Sequence, residues 1–178
     1  ASTNSDLVMM AEILRREGYA TGAFTGGAYV GPGFGFAQGF DVFEYWPDRS
    51  RDNDELTTGI DKALNWIDSH RNEPFFFFLH TYEVHDPYRM REPYFSQMAP
   101  AAGLSQGTRI ALVSPRNRAE DGFRQRNGFV IRVPGRDGGE RLITDGEYPI
   151  VSAMYDSGIA YADSQLGRLF SGLHRLGV

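Results

Sequence analysis

The sequence predicts an α/β fold with a mostly parallel sheet flanked by helices, and three observations carry that expectation. The run Phe75-Phe76-Phe77-Phe78-Leu79 is wholly apolar, begins after Pro74 and breaks off into His80-Thr81-Tyr82, the pattern of a short strand buried on both faces. A second short run, Ala20-Thr21-Gly22-Ala23-Phe24-Thr25, is closed by Gly26-Gly27. Segments with helical spacing stand before, between and after these two strands.

Each element has its own signal. The first helix is expected to begin near Ser5 or Asp6, to carry Leu7, Met10, Ala11 and Leu14 on one face, and to end at Gly18 as a left-handed cap. From Gly26 to Gly39 the chain interleaves glycines with Tyr29, Phe34 and Phe36, so a loop packed by rings is expected up to Phe40 and Asp41. A second helix is expected to be capped by Asp52 or Asn53 with Glu55 closing a capping box. Its apolar stripe is Leu56, Ile60, Ala63, Leu64 and Ile67. The last helix is marked by Tyr155, Ile159, Ala162, Leu166, Leu169, Leu173 and Leu176, spaced alternately by four and three, and ends at Gly177.

The segment 104–147 differs from the rest. It has few periodic apolar residues, many glycines, and Arg109, Arg116, Arg118, Arg124, Arg126, Arg132, Arg136 and Arg141, and is expected to be an irregular insertion. Within it, Gly128 to Val133 reads as one strand of a surface hairpin, turned by Pro134-Gly135 and Asp137-Gly138-Gly139.

Composition narrows the function classes. With 41% hydrophobic and 13% aromatic residues, 178 residues can bury a sizeable core and fit one domain of about 100 to 200 residues. A net charge of -5 gives no general reason to expect nucleic acid as a partner, since such domains are normally basic over one face. The absence of cysteine excludes disulfides and thiolate metal sites within the chain and leaves the redox compartment open. The phenylalanine run is far shorter than the roughly 20 apolar residues that span a bilayer, and the first residues show no signal-peptide pattern. The first residue is not methionine, and the chain stops at Leu176-Gly177-Val178, where a strand is expected next; an internal fragment is therefore expected.

Candidate chemistry gathers after the phenylalanine strand, because ligands of open α/β sheets collect at the carboxyl ends of strands. Metal coordination by His80 and His85 with Glu83 and Asp86 is disfavoured, since a zinc site normally needs three or four ligands. The competing reading is a histidine that donates a hydrogen bond to an anionic substrate oxygen or protonates a leaving group. For His80 a ring bonded to backbone in the core is favoured; for His85, followed by Asp86-Pro87-Tyr88, a functional role is. The glycine loop Gly31-Pro32-Gly33-Phe34-Gly35-Phe36 lacks the glycine spacing and the following helix of a dinucleotide site. The arginines of 104–147 can clamp anionic groups, yet Lys62 is the only lysine, so arginine is also this chain's general cation. Asp156 and Asp163 are expected to be solvated.

Four pieces in order resemble the sulfatase family of the alkaline phosphatase superfamily. They are Ala11 to Phe24, Gly33 to Asp41, Pro74 to Tyr82 with His85-Asp86-Pro87-Tyr88, and Tyr155 to Asp163 leading to Leu166-Gly167-Arg168-Leu169. The resemblance implies an alkaline phosphatase-like sandwich, incomplete here, of which residues 1–178 are the central part. It implies a sulfuric ester hydrolase using a formylglycine nucleophile beside calcium or another divalent metal, both held by residues before and after this stretch, so that the chain alone binds no metal and is inactive. The family histidine that contacts the sulfate or assists the leaving group corresponds to His85. Weaker substrate-binding candidates are His80, for which the core reading is favoured, and Thr25, because relatives often carry a lysine and histidine where this chain has Thr25-Gly26-Gly27. Sulfated small molecules or glycans are the implied substrates, and a periplasmic or secreted location is implied for the parent. The same scaffold also supports phosphonate or phosphate monoester hydrolases and phosphoethanolamine transferases, and a non-catalytic relative that binds anionic glycans is the reading from another class.

Overall fold

A computed structural model describes residues 6–27, 29–46, 55–99, 102–104, 107–113, 128–132 and 140–178, with the side chains of 112, 113, 128–132 and 140–142 outside the description. The elements in order are α1 (Met10–Arg16), β1 (Ala20–Gly26), a 3-10 turn (Pro32–Phe34), β2 (Val42–Trp46), α2 (Glu55–His70), β3 (Phe75–His80), β4 (Tyr88–Arg89), α3 (Tyr94–Met98), β5 (Arg109–Val113), β6 (Gly128–Arg132), β7 (Glu140–Leu142), a 3-10 turn (Asp145–Glu147) and α4 (Tyr148–Leu176). The chain forms two compact units, residues 1–83 with 164–178, and residues 84–163.

The first unit is built on a parallel sheet of order β2-β1-β3. The central strand is buried from Thr21 to Gly26, whereas every residue of β3 is only half-buried. The expectation of a phenylalanine strand buried on both faces is thus corrected: β3 is an edge strand of this sheet and has a β neighbour on one side only among the described residues. Its rings alternate as strand side chains must. Phe75 and Phe77 meet Trp66 of α2, while Phe76 stacks on Phe40 from the glycine loop. Gly22 explains how α2 lies so close, since a Cβ there would stand 2.8 Å from Trp66.

The strand β2 is absent from the sequence expectation, which ended the glycine loop at Asp41; Val42 to Trp46 pair in parallel with Gly22 to Gly26. Asp41 fixes the entry to this strand. Its carboxylate accepts from the Thr21 backbone N–H at 3.1 Å and the Thr21 hydroxyl at 2.9 Å, and pairs with Arg15 of α1 at 2.6 Å. The helix α2 has the expected stripe, with Leu56, Ile60, Ala63 and Ile67 buried and Leu64 half-buried. The expected caps Asp52 and Asn53 lie outside the described residues. Along the other side of α2 runs the end of α4: Gly172 faces Leu64, Thr57 donates to Gln165 at 3.1 Å, and Arg168 pairs with Asp61 at 2.7 Å.

The helix α1 starts later than expected, at Met10, and its apolar face is a correction too. Leu7 and Met10 are 56% and 61% exposed, while Ala11 is buried. What starts the helix is Glu12, whose carboxylate accepts from the Met9 backbone N–H at 3.0 Å and from Gln38 Nε2 at 2.7 Å. Gly18 ends it in the left-handed conformation at φ +86°, as the sequence implies. The Met9 N–H and the Gln38 amide hold the Glu12 carboxyl below the ordinary carboxylate range. A depressed carboxyl contributes stability that is present above the ordinary range and lost as pH falls through its lowered pKa. Urea midpoints measured through the acid range should therefore drop more steeply for the natural protein than for Glu12→Gln; coincident acid limbs would contradict this.

The second unit holds an antiparallel sheet of order β4-β5-β6-β7. The segment 104–147 is therefore not irregular throughout: three strands lie inside it, the predicted one at 128–132 paired to 109–113 and 140–142. The expected turns at 134–135 and 137–139 lie outside the described residues. Its core is Phe95, Ile110, Val151, Ala153 and Met154, with Tyr88, Met90 and Ile150 packed around it. The helix α4 exists as predicted but starts at Tyr148 and buries a different face. Tyr155, Ile159 and Leu166 are 40%, 44% and 40% exposed, whereas Val151, Met154, Ser157 and Tyr161 are buried. Ser157 is carried inside by its own hydrogen bonds, donating to the Met154 carbonyl at 2.8 Å and accepting from the Arg91 N–H at 3.4 Å. Burial, then the nearby Asp86 and Tyr155, raises the Tyr88 hydroxyl above the ordinary tyrosine range.

Candidate functional site at the carboxyl ends of the parallel strands

The register of the first sheet brings two predicted residues together. Thr25 at the end of β1 is the direct partner of His80 at the end of β3, and Gly26 is the partner of Trp46. The two do different work. Thr25 is fully buried and its hydroxyl donates to the Val30 carbonyl at 3.0 Å, which ties down the glycine loop. His80 Nδ1 lies 2.7 Å from the Gly26 carbonyl. A carbonyl oxygen only accepts, so Nδ1 is the donor.

Gly27 sits at φ +99°, and a Cβ on it would stand 2.0 Å from the Tyr82 ring. Only glycine allows both the left-handed turn and that contact. The Tyr82 ring in turn lies 5.4 Å from the His80 ring. Glu55, the first residue of α2, brings its carboxylate to 3.4 Å from where a Cβ of Gly26 would be. The sequence marked Glu55 as a capping residue and Tyr82 as a neighbour of the histidines. Their convergence on Gly26-Gly27 follows from strand register, which local patterns do not encode.

His85 belongs to the second unit, apart from this cluster in the chain's division. It is exposed, and its Nδ1 lies 2.7 Å from the Asp86 carbonyl, so it too is protonated at Nδ1. Asp156 and Asp163 are exposed on α4.

The model of the sulfatase family matches residues 3–178. The chain belongs to the sulfatase family. No curated protein and no solved structure matches it. The parallel sheet flanked by helices agrees with an alkaline phosphatase-like sulfatase fold, and family membership makes this a sulfatase-like hydrolase domain in general terms. Sulfatases usually depend on a divalent metal. Among the described residues no three His, Asp or Glu side chains gather in a way that could hold one. Among the same residues no helix is long and apolar enough to cross a membrane.

Proposed function

We propose that the protein containing this sulfatase chain hydrolyses sulfate esters of small molecules or glycans, with nucleophile and metal ligands contributed by residues outside 1–178. The family match over residues 3–178 is the observation that carries this reading. Calcium is the proposed metal and a formylglycine the proposed nucleophile, both by family resemblance. By itself the chain is proposed to be inactive.

In this proposal His85 contacts the sulfate or the bridging oxygen. Its Nδ1 is engaged with the Asp86 carbonyl, so donation to a sulfate oxygen comes from Nε2 of the doubly protonated ring. The same protonated ring can give its Nε2 proton to the departing alkoxide. Within the first unit, the hydrogen bonds of Thr25 to Val30 and of His80 to Gly26 hold the loop after β1 in place.

The test sequences the regions flanking this chain and assays the complete protein on matched aryl sulfate and aryl phosphate esters. A Cys/Ser-x-Pro-x-Arg motif and a higher kcat/KM on the sulfate are expected. A threonine nucleophile with preference for the phosphate would replace the proposal with a phosphoryl-transfer enzyme, and binding of anionic glycan without turnover would replace it with a non-catalytic relative.

A further inference from the structure

Shortly after His85 the chain places Tyr88 on the edge strand β4. Tyr88 is the partner of the fully buried Ile110 and shares its face, so its ring leaves the sheet on the core side and is half-buried there. Tyr155 of α4 meets it with ring centroids 5.3 Å apart and planes at 64°. In an edge-to-face pair of this kind one ring keeps both its faces clear of the other. Tyr155 is exposed, and Ile159, one turn along α4 on the same side, is exposed as well.

Core packing accounts for Tyr88 but not for Tyr155. The core of this unit takes Val151, Ala153 and Met154 from α4, and Tyr155 stands outside that set. Tyr155 and Ile159 form an open apolar ledge beside Tyr88. Asp86 joins this ledge to His85. Its carbonyl lies 2.7 Å from His85 Nδ1, while its carboxylate and the Tyr155 hydroxyl are near enough to act on the Tyr88 hydroxyl. His85 and Tyr88 are at most about 11 Å apart at Cα, since an extended chain gains no more than about 3.6 Å per residue. Both side chains can therefore reach one small ester.

We propose that Tyr155 is a specificity-determining residue for the reaction assigned to His85. Its ring, backed by Tyr88 and extended by Ile159, receives the body of the group that carries the sulfate and favours a ring there over an open chain. A ring lies flat on an aromatic face and has few torsions to freeze, whereas a flexible chain loses conformational freedom when it is held. This deepens the sulfate-ester reading and rests on it for the sulfate.

The test measures kcat/KM of the complete protein on cyclohexylmethyl sulfate and n-heptyl sulfate, two primary alkyl esters with the same number of carbons, one holding a ring and one a chain. The natural protein should prefer the ring. Tyr155→Ala should lower the ring-to-chain ratio about 5- to 10-fold, mostly through KM, as expected for a contact made in ground and transition state alike. Tyr155→Phe should restore most of the ratio, because it keeps the aromatic face. Where circular dichroism shows that Tyr155→Ala does not fold, Tyr155→Leu carries the same prediction, since it keeps apolar area without a flat face. An unchanged ratio, an equal loss on both esters, or a failure of Tyr155→Phe to restore the ratio would overturn the proposal. Turnover of the sulfates with a ratio untouched by Tyr155→Ala would leave the hydrolase reading standing and sink this one. Hydrolysis of the corresponding phosphate esters in place of the sulfates, with a ratio that falls in Tyr155→Ala, would do the reverse.

Discussion

Replacing Gly39 by alanine is expected to destabilise the protein by about 3 to 4 kcal/mol. Two causes add. Gly39 sits at φ +87°, where an L-residue costs roughly 1–2 kcal/mol. Its new Cβ would stand 2.3 Å from the backbone nitrogen of Glu12 and 2.8 Å from the carbonyl carbon of Ala11, and helix backbone cannot step aside as a side chain can. Overpacking of this kind costs typically about 1–3 kcal/mol. The damage extends further, because the Gly39 carbonyl accepts from the Thr21 hydroxyl that also binds Asp41. Against a total stability of about 5–15 kcal/mol, such a loss moves the urea midpoint far down. Gly33→Ala is the matched control, since nothing lies within 4 Å of its Cβ position and its φ is not in the positive region. Equal midpoints for the two variants would contradict the packing of α1 on the glycine loop.

Gly39 also shows what a sequence conceals. Its neighbours announce a loop, but the contact with α1 that makes glycine obligatory at that position joins segments about thirty residues apart. The strands β1 and β3 were legible as short runs bounded by turn residues, and α2 because one stripe of it is buried. β2 was not, since Val42 to Trp46 interrupt their apolar residues with Glu44, which pairs with Lys62 across to α2. For α4 the period was right and the face wrong. Hydrophobicity favoured Tyr155 and Ile159, whereas the fold buries Ser157 through hydrogen bonds that composition does not show. The strands of 109–142 were hidden by arginines, which count against burial even though only alternate positions of a strand need be apolar. In the candidate site, the residue types at the strand ends were legible. That Thr25 stands opposite His80, and that Tyr82 and Glu55 close on Gly26-Gly27, depends on register and could not be read.

The largest effect on activity is expected at His85. In the proposed reaction its Nε2 supplies a proton or a charge-assisted hydrogen bond where negative charge builds on the sulfate ester, and positioned acid–base groups contribute about 10²–10⁴-fold. His85→Ala removes that group from an exposed position, so folding should be little affected while kcat falls. Thermal midpoints of the two proteins should agree. A variant that unfolded instead would assign His85 to structure.

Steady-state kcat/KM for an aryl sulfate, compared between the complete protein and its His85→Ala variant, tests the central claim most directly. The proposal predicts turnover by the natural protein and a loss of about 100-fold or more in the folded variant. Activity unchanged by the substitution would contradict the role given to His85, and a natural protein with flanking motifs intact but no hydrolysis of any sulfate ester would contradict the function itself.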